Sequence, residues 1–203
     1  MTAMRVGVLG LQGGVAEHLA MLRPIEGVVA GSFMRVSELE RLDAVILPGG
    51  ESTAMGKLLA EFGLLEPLAA RIAGGLPVWG TCAGLILLAK DISNDQRHHL
   101  AVMDITVDRN AYGRQLHSFI GAELIAGLPG GPFPLVFIRA PRITRLGPGV
   151  QALAKVAGEP VACRQVNMVA TAFHPELSGD DRFHRWFVEL ARTAQTGIAS
   201  RKP

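Results

Sequence analysis

Val78-Trp79-Gly80-Thr81-Cys82-Ala83-Gly84-Leu85-Ile86-Leu87-Leu88 runs from a β-like apolar segment directly into an apolar segment of helical character, with a cysteine at the join. Small residues flanking Cys82 let the chain reverse sharply from strand to helix, the geometry of a nucleophile elbow, with sulfur in place of the hydroxyl. A helix that starts just after Cys82 sets backbone N–H groups and a positive dipole end beside the sulfur, which favours the reactive thiolate. The turn is expected to thrust the sulfur toward solvent. A structural cysteine needs none of this.

Outward from that turn, strands and helices alternate. Residues 4–9 read as a buried opening strand, 11–14 as a loop and 15–22 as a helix stopped near Pro24. Short apolar strands are expected at 28–34 and 44–47, separated by a polar segment in which Ser37 is a candidate helix N-cap. Pro48-Gly49-Gly50-Glu51-Ser52 breaks the pattern, and helical periodicity returns around 57–59 and over 64–72. This alternation predicts an α/β three-layer sandwich around a mostly parallel mixed sheet. After Ala89 the runs at 102–107, 118–124, 135–138, 150–156, 160–166 and 168–172 are β-like and are expected to include antiparallel strands. A closing helix follows Asp180-Asp181, and its Phe183, Trp186, Phe187 and Leu190 recur at the spacing of a face docked on the sheet.

The 203 residues, 49% of them hydrophobic, suit one domain with a sizeable core over about residues 4–194 and a short solvated tail that includes Arg201-Lys202. The Gly/Pro clusters at 127–134 and 147–149 are short enough to be surface loops rather than linkers. A formal net charge of +2 from dispersed Lys and Arg gives no basic patch for nucleic acid. No apolar run reaches the roughly 18 residues of a membrane span, and no signal-like segment opens the chain, so a cytoplasmic protein is expected. Two cysteines do not make a secreted disulfide framework. His98 and His99 are adjacent, which is poor ligand spacing, and no metal is expected.

In open parallel sheets ligands gather at the carboxyl ends of the strands, so the Gly49-Gly50 loop and the Cys82 turn are expected to share one crevice. Backbone N–H groups of Gly49 and Gly50, together with that of Ala83, are the candidate oxyanion hole. A cysteine attacking an amide needs a base that later protonates the leaving nitrogen, and His174 in Phe173-His174-Pro175-Glu176 is the best candidate of six histidines. Glu176 would orient it, with the two side chains projecting to one side if H-P-E is extended. Taken singly, each signal has a plain alternative: a buried structural cysteine, an ordinary Pro-Gly-Gly turn, a structural histidine. Their ordered combination at strand ends is what points to a cysteine hydrolase. Cys163 lies in a β-like run without a local base and reads as structural.

The segments VGVLGLQGGVAEH (6–18), LPGGEST (47–53), VWGTCAGLILLA (78–89), DRNAYGRQLHSF (108–119), VFIRAPRI (136–143) and ATAFHPEL (170–177) resemble the triad-type class I glutamine amidotransferases. Within them the LQG start, RNAYGRQ and FIRAP resemble the glutaminase subunits of pyridoxal 5′-phosphate synthases. The resemblance spans nearly the whole chain. It implies a flavodoxin-like amidotransferase fold and hydrolysis of L-glutamine to glutamate and ammonia through a thioester. It also implies ammonia channelled to a separate synthase (lyase) subunit in a large hetero-oligomer, with no cofactor on this chain. Carried over by motif, Cys82 is the nucleophile, His174 the base and Glu176 its orienting acid. Gly50, Glu51 and Ser52 match the substrate loop, Arg109 the glutamine-binding arginine, and Ile138-Arg139 a further substrate-contacting pair. Gln12 matches a residue that lies toward the synthase.

Two positions depart from the family pattern. Val15 stands where a larger aromatic or a different small residue is often seen, and Val166 where glycine is usual. Because valine resists positive φ, the turn before Asn167 is expected to differ locally or not to need that geometry. Two other readings fit the residues: a peptidase-like or amidase-like cysteine hydrolase, and a catalytically silent binding subunit. The complete set of Cys82, His174 and Glu176 speaks against the second.

Overall fold

A computed structural model describes residues 3–93, 95–109 and 118–199. Residues 110–117 of the DRNAYGRQLHSF segment and the Arg201-Lys202 tail lie outside the described residues. The strands are β1 (Met4–Leu9), β2 (Val28–Phe33), β3 (Ala44–Leu47), β4 (Val78–Thr81), β5 (Ala89–Ile92), β6 (Met103–Asp108), β7 (Ser118–Glu123), β8 (Phe133–Ile138), β9 (Arg142–Leu146), β10 (Gln151–Val156), β11 (Glu159–Gln165) and β12 (Met168–Thr171). The helices are α1 (Val15–Leu22), α2 (Val36–Leu39), α3 (Ser52–Glu61), α4 (Leu65–Ala73), α5 (Ala83–Leu88) and α6 (Arg182–Ala199).

The central seven-stranded sheet has the order β10-β11-β12-β4-β3-β1-β2. From β12 to β2 neighbouring strands run parallel, whereas β10–β11 and β11–β12 are antiparallel, so the sheet is mixed and mostly parallel as expected. Every residue of β3, β4 and β12 is buried, because parallel strands flanked on both sides are covered on both faces. Successive residues of β4 face opposite layers. Trp79 meets α1 and α6, stacking on Phe183 at 4.6 Å between centroids and touching Phe187 at 5.6 Å. Gly80 faces α5, which also contacts α3. The aromatic stripe of α6 is core, with Phe183 and Phe187 fully buried, worth about 1.5–3 kcal/mol each in transfer terms.

Part of the β-rich second half leaves this sheet. β5, β6 and β9 form one small sheet and β7–β8 a hairpin-like pair. β8 lies beside the segment after β12, through His174 N–H donating to Val136 O at 2.8 Å. Ser37 does not cap α2; Arg35 occupies that position, and Glu38 Oε2 accepts from the N–H groups of Met34 and Arg35 at 2.8 and 3.1 Å. The carboxylate three residues into the segment outcompetes the hydroxyl because it reaches two free donors at once.

Val166 departs from expectation in the opposite sense from a rearranged turn. It sits 77% exposed in the two-residue turn between β11 and β12 with φ +53, so the glycine-type backbone is kept although the side chain is β-branched. Asn167 explains the persistence: its amide nitrogen donates to Ile72 O at 3.1 Å and Leu76 O at 2.7 Å, tying the turn to the end of α4.

Candidate active site

Four parallel strands deliver their carboxyl ends to one crevice of about 440 Å³, within the usual size of small-molecule sites. The loops after β1, β3, β4 and β12 all line it, through Gln12 and Gly14, Gly49 to Ser52, Cys82 and Ala83, and His174 and Glu176.

Cys82 adopts φ 48, ψ −100, a conformation that L-residues hold only when the surroundings enforce it. Here the enforcement is on both sides. Its N–H donates to Thr171 O at 2.8 Å, extending the β4–β12 register, and α5 begins at the next residue. A Cβ on Gly84 would stand 2.0 Å from Leu47 O, so only glycine lets the helix start this close to β3. The expectation of a solvent-thrust sulfur needs correction: Cys82 is only 8% exposed, at the wall of the crevice. Its sulfur lies 3.9 Å from Ile138 O. A backbone reversal this tight presses the elbow against its neighbours.

His174 comes three residues after β12 ends at Thr171. The H-P-E segment is not extended: Pro175–Leu177 forms a single 3₁₀ turn that proline's fixed φ favours at its first position. The turn brings Glu176 Oε1 to 2.8 Å from His174 Nδ1. A carboxylate only accepts, so the ring donates from Nδ1 and its Nε2 remains available, with Cys82 lining the same crevice wall. Burial disfavours a charged ring, but Cys82 and Glu176 outweigh it and raise His174 to about 10. Both neighbours thus favour the protonated ring.

Over His174 lies the Pro48-Gly49-Gly50 loop. A Cβ on Gly49 would meet His174 Cε1 at 2.4 Å. Gly49 O accepts from Gly14 N–H at 3.0 Å, and a trans peptide then directs the Gly50 N–H the other way. Neither Gly49 nor Gly50 N–H meets a backbone acceptor among the described residues, and Ala83, as the first residue of α5, has none within its helix. Gln12 Oε1 accepts from Glu51 N–H at 2.8 Å, joining the loop after β1 to the loop after β3. Glu51 caps α3 through Thr53 and Ala54 N–H at 3.0 and 2.7 Å. Despite some burial, those donors, the Thr53 hydroxyl and Arg109 hold its carboxyl below the usual range.

Arg109 reaches the crevice and bridges Asp95 Oδ2, Glu51 Oε1 and Thr53 Oγ1 at 3.1, 3.1 and 2.7 Å. These contacts use three of its five N–H donors. Ser52, Ile138 and Arg139 line the same space, Arg139 with φ +44. The candidate residues named from the sequence thus meet at one place.

Cys163 does not. It is fully buried in β11, and burial pushes its thiol up to about 12, so it carries no thiolate at neutral pH. Among the described residues no group of three or more His, Cys, Asp or Glu is arranged to hold a metal ion, and no helix is long and apolar enough to cross a membrane.

Sequence reasoning missed what lies behind Cys82, His174 and Glu176. His18 of α1 and His184 of α6 are both fully buried and touch, Nδ1 of His18 to Nε2 of His184, at 2.9 Å. His18 Nε2 is 3.3 Å from Thr81 Oγ1 and 3.4 Å from Glu176 Oε2. The signal was present: Val15, His18, Leu19 and Leu22 share one helical face, and a histidine inside an apolar stripe requires a partner. Asp95 was missed likewise. Bonded by Arg97 and then by Arg109, it is held far below the ordinary carboxylate range and braces both arginines.

The chain matches the SNO glutamine amidotransferase family over residues 8–193. It is 53% identical over 186 residues to the pyridoxal 5′-phosphate synthase subunit PdxT of Ruminiclostridium cellulolyticum, covering 92% of this chain and 98% of that protein. The subunit of the same name from Mycolicibacterium vanbaalenii is also 53% identical, over 93% of this chain and 98% of the relative. A solved glutamine amidotransferase superposes with a TM-score of 0.87 at 46% identity, covering 92% of this chain and 98% of its own. A putative GMP synthase component from Thermoplasma acidophilum shares the fold, with a TM-score of 0.71 at 18% identity, covering 98% of this chain and 99% of its own.

Proposed function

The chain belongs to the SNO glutamine amidotransferase family and is a glutamine-hydrolysing enzyme, and we propose that it does this chemistry through Cys82, His174 and Glu176 while docked on a pyridoxal 5′-phosphate synthase. The Cys82 thiolate attacks the side-chain amide carbon of L-glutamine, and a sulfur–carbon bond forms as the carbonyl π pair moves to oxygen. The N–H groups of Gly50 and Ala83 receive that oxyanion, with Gly49 shaping the loop that presents the first. Collapse breaks the carbon–nitrogen bond, and the nitrogen leaves as ammonia with the proton held on His174. Neutral His174 then takes a proton from water, the hydroxide attacks the thioester, and collapse breaks the carbon–sulfur bond, so glutamate departs with the thiolate restored. Glu176 keeps the ring in one tautomer throughout.

A free amino acid presents a carboxylate and an ammonium to its site. Arg109 is the proposed cation for the first. Glu51 and Ser52, with the Ile138-Arg139 pair opposite, are the proposed remaining substrate contacts. The ammonia is proposed to pass through a tunnel to the synthase (lyase) subunit within a large hetero-oligomer, and Gln12 is proposed to couple docking to catalysis. Two hydrogen bonds support that coupling, since Gly14 N–H to Gly49 O and Glu51 N–H to Gln12 Oε1 tie the oxyanion loop to the Gln12 segment. A partner that displaces this segment also turns the Gly49–Gly50 peptide.

The observation that carries the reading is that Cys82 and the His174–Glu176 pair, hydrogen-bonded to each other at 2.8 Å, meet at the wall of one crevice. Cys82→Ala is expected to lose ammonia release from glutamine while Cys163→Ala retains it, both remaining folded by circular dichroism. Equal loss in the two variants would remove Cys82 from its role.

A further inference from the structure

Glu176 is nearly fully buried, yet only one of its oxygens has a complete hydrogen bond: Oε1 takes His174, and Oε2 has none. A buried carboxylate with one oxygen unsupported is costly and free to swing, and a swing of this carboxylate misplaces the ring it holds. The group facing Oε2 is His18 Nε2 at 3.4 Å, an ion–dipole separation that a small tightening converts into a hydrogen bond.

Whether His18 helps or repels depends on which of its nitrogens carries the proton, and the surroundings decide. Burial first, then His184 and His174, keep His18 neutral, so one nitrogen has a proton and the other does not. If the proton sat on Nδ1, it would go to His184 Nε2 and leave the bare His18 Nε2 facing the Glu176 oxygen. His184 would then carry its own proton on Nδ1, a buried atom with no partner. In the other arrangement His184 Nε2–H donates to His18 Nδ1 at 2.9 Å, and His18 Nε2–H faces both Glu176 Oε2 and Thr81 Oγ1. Only a lone pair on His184 is then left over. Both ends of the pair favour this second arrangement.

We infer that His18, with its tautomer set by His184, is a positioning residue that fixes Glu176 and through it the His174 ring against Cys82. The inference rests on the triad reading above. His18 touches no reacting atom and does not line the crevice. It contacts instead the two residues that frame the elbow, Glu176 from the β12 side and Thr81, which immediately precedes Cys82 on β4.

The test measures kcat and KM for glutamine, with the synthase subunit present, in the wild type, Cys82→Ala, His18→Leu, His18→Gln and His184→Phe, alongside thermal unfolding. His18→Leu removes the donor and is expected to lower kcat roughly 10- to 100-fold, the scale for losing an outer partner of an orienting ligand, with KM within about twofold. His18→Gln places an amide N–H near the position of Nε2 and is expected to recover most of that loss. His184→Phe keeps the packing but frees the tautomer, and is expected to lower kcat at unchanged KM. Unchanged kcat in His18→Leu, or equal losses in folded Leu and Gln variants, would overturn the inference. If the Leu variant does not fold, unchanged kcat in His184→Phe overturns it instead. Activity surviving in Cys82→Ala would bring down the triad reading separately.

Discussion

At the scale of single residues, chemistry in this chain is decided by how burial is compensated. Cys82 and Cys163 are both buried, but Cys82 lines a crevice together with His174, whereas burial pushes the Cys163 thiol up to about 12. The histidines divide in the same way. Against the cost of burial, Cys82 and Glu176 raise His174, whereas burial lowers His184 to about 3 and His18 well below 6.5. This has a measurable consequence. Between the ordinary histidine value of 6.5 and those lowered values the unfolded chain binds more protons than the folded one, so stability is lost as pH falls through that window. Each of the two groups contributes a slope of about 1.4 kcal/mol per pH unit where only the unfolded form is protonated. Urea unfolding between pH 4 and 6 is expected to show this loss, and His184→Phe to make the slope shallower. An unaltered slope in that variant would mean that His184 is not buried as described. Cys82, His174 and Glu176 were legible in the sequence because each lies at a strand end in a recognisable turn. His18 and His184 were not, because their pairing joins α1 to α6 across the sheet and neither has a local motif.

At the scale of elements, alternating apolar runs marked most strands and helices to within a residue or two. Two strands escaped. Ala89–Ile92 continues directly from the apolar helix that ends at Leu88, so no turn signal marks the change. Arg142–Leu146 is short and half charged, its arginines paired to Asp104, Asp91 and Glu159, so its strand character comes from its partner β6 rather than from its own composition. Whether H-P-E is extended was not legible, because a three-residue 3₁₀ turn carries no periodicity of its own. The β11–β12 turn carries the clearest stored strain. A β-branched side chain at φ +53 costs on the order of 1–2 kcal/mol relative to glycine, partly offset by glycine's freedom in the unfolded chain. Val166→Gly is therefore expected to stabilise the protein by about 1 kcal/mol, seen as a higher urea midpoint at unchanged slope, with catalysis unaffected because the turn lies outside the crevice lining. A lower midpoint would show that the valine's contacts outweigh the strain.

At the scale of the whole molecule, the mixed, mostly parallel sheet brings four loops distant in sequence to one edge, and two of those loops are cross-linked to each other before any substrate arrives. The sheet class and the shared crevice were legible because strand–helix alternation dictates them. The exit of β5 to β9 into separate small sheets was not, since pairing of strands far apart in sequence leaves no local trace. On the proposed function, the cross-linked Gly49–Gly50 loop would let the enzyme rest until the synthase subunit docks. One oxyanion donor turned away costs on the order of 100- to 1,000-fold in rate. The measurement that bears most directly on this account is ammonia release from L-glutamine by the purified chain as the synthase subunit is titrated in, for wild type, Gln12→Ala and Cys82→Ala. The account predicts a slow basal rate that rises steeply with partner in the wild type, a blunted rise in Gln12→Ala and no release at any ratio in Cys82→Ala. Full activity of the lone wild-type chain with no response to the partner, or release by Cys82→Ala, would contradict it.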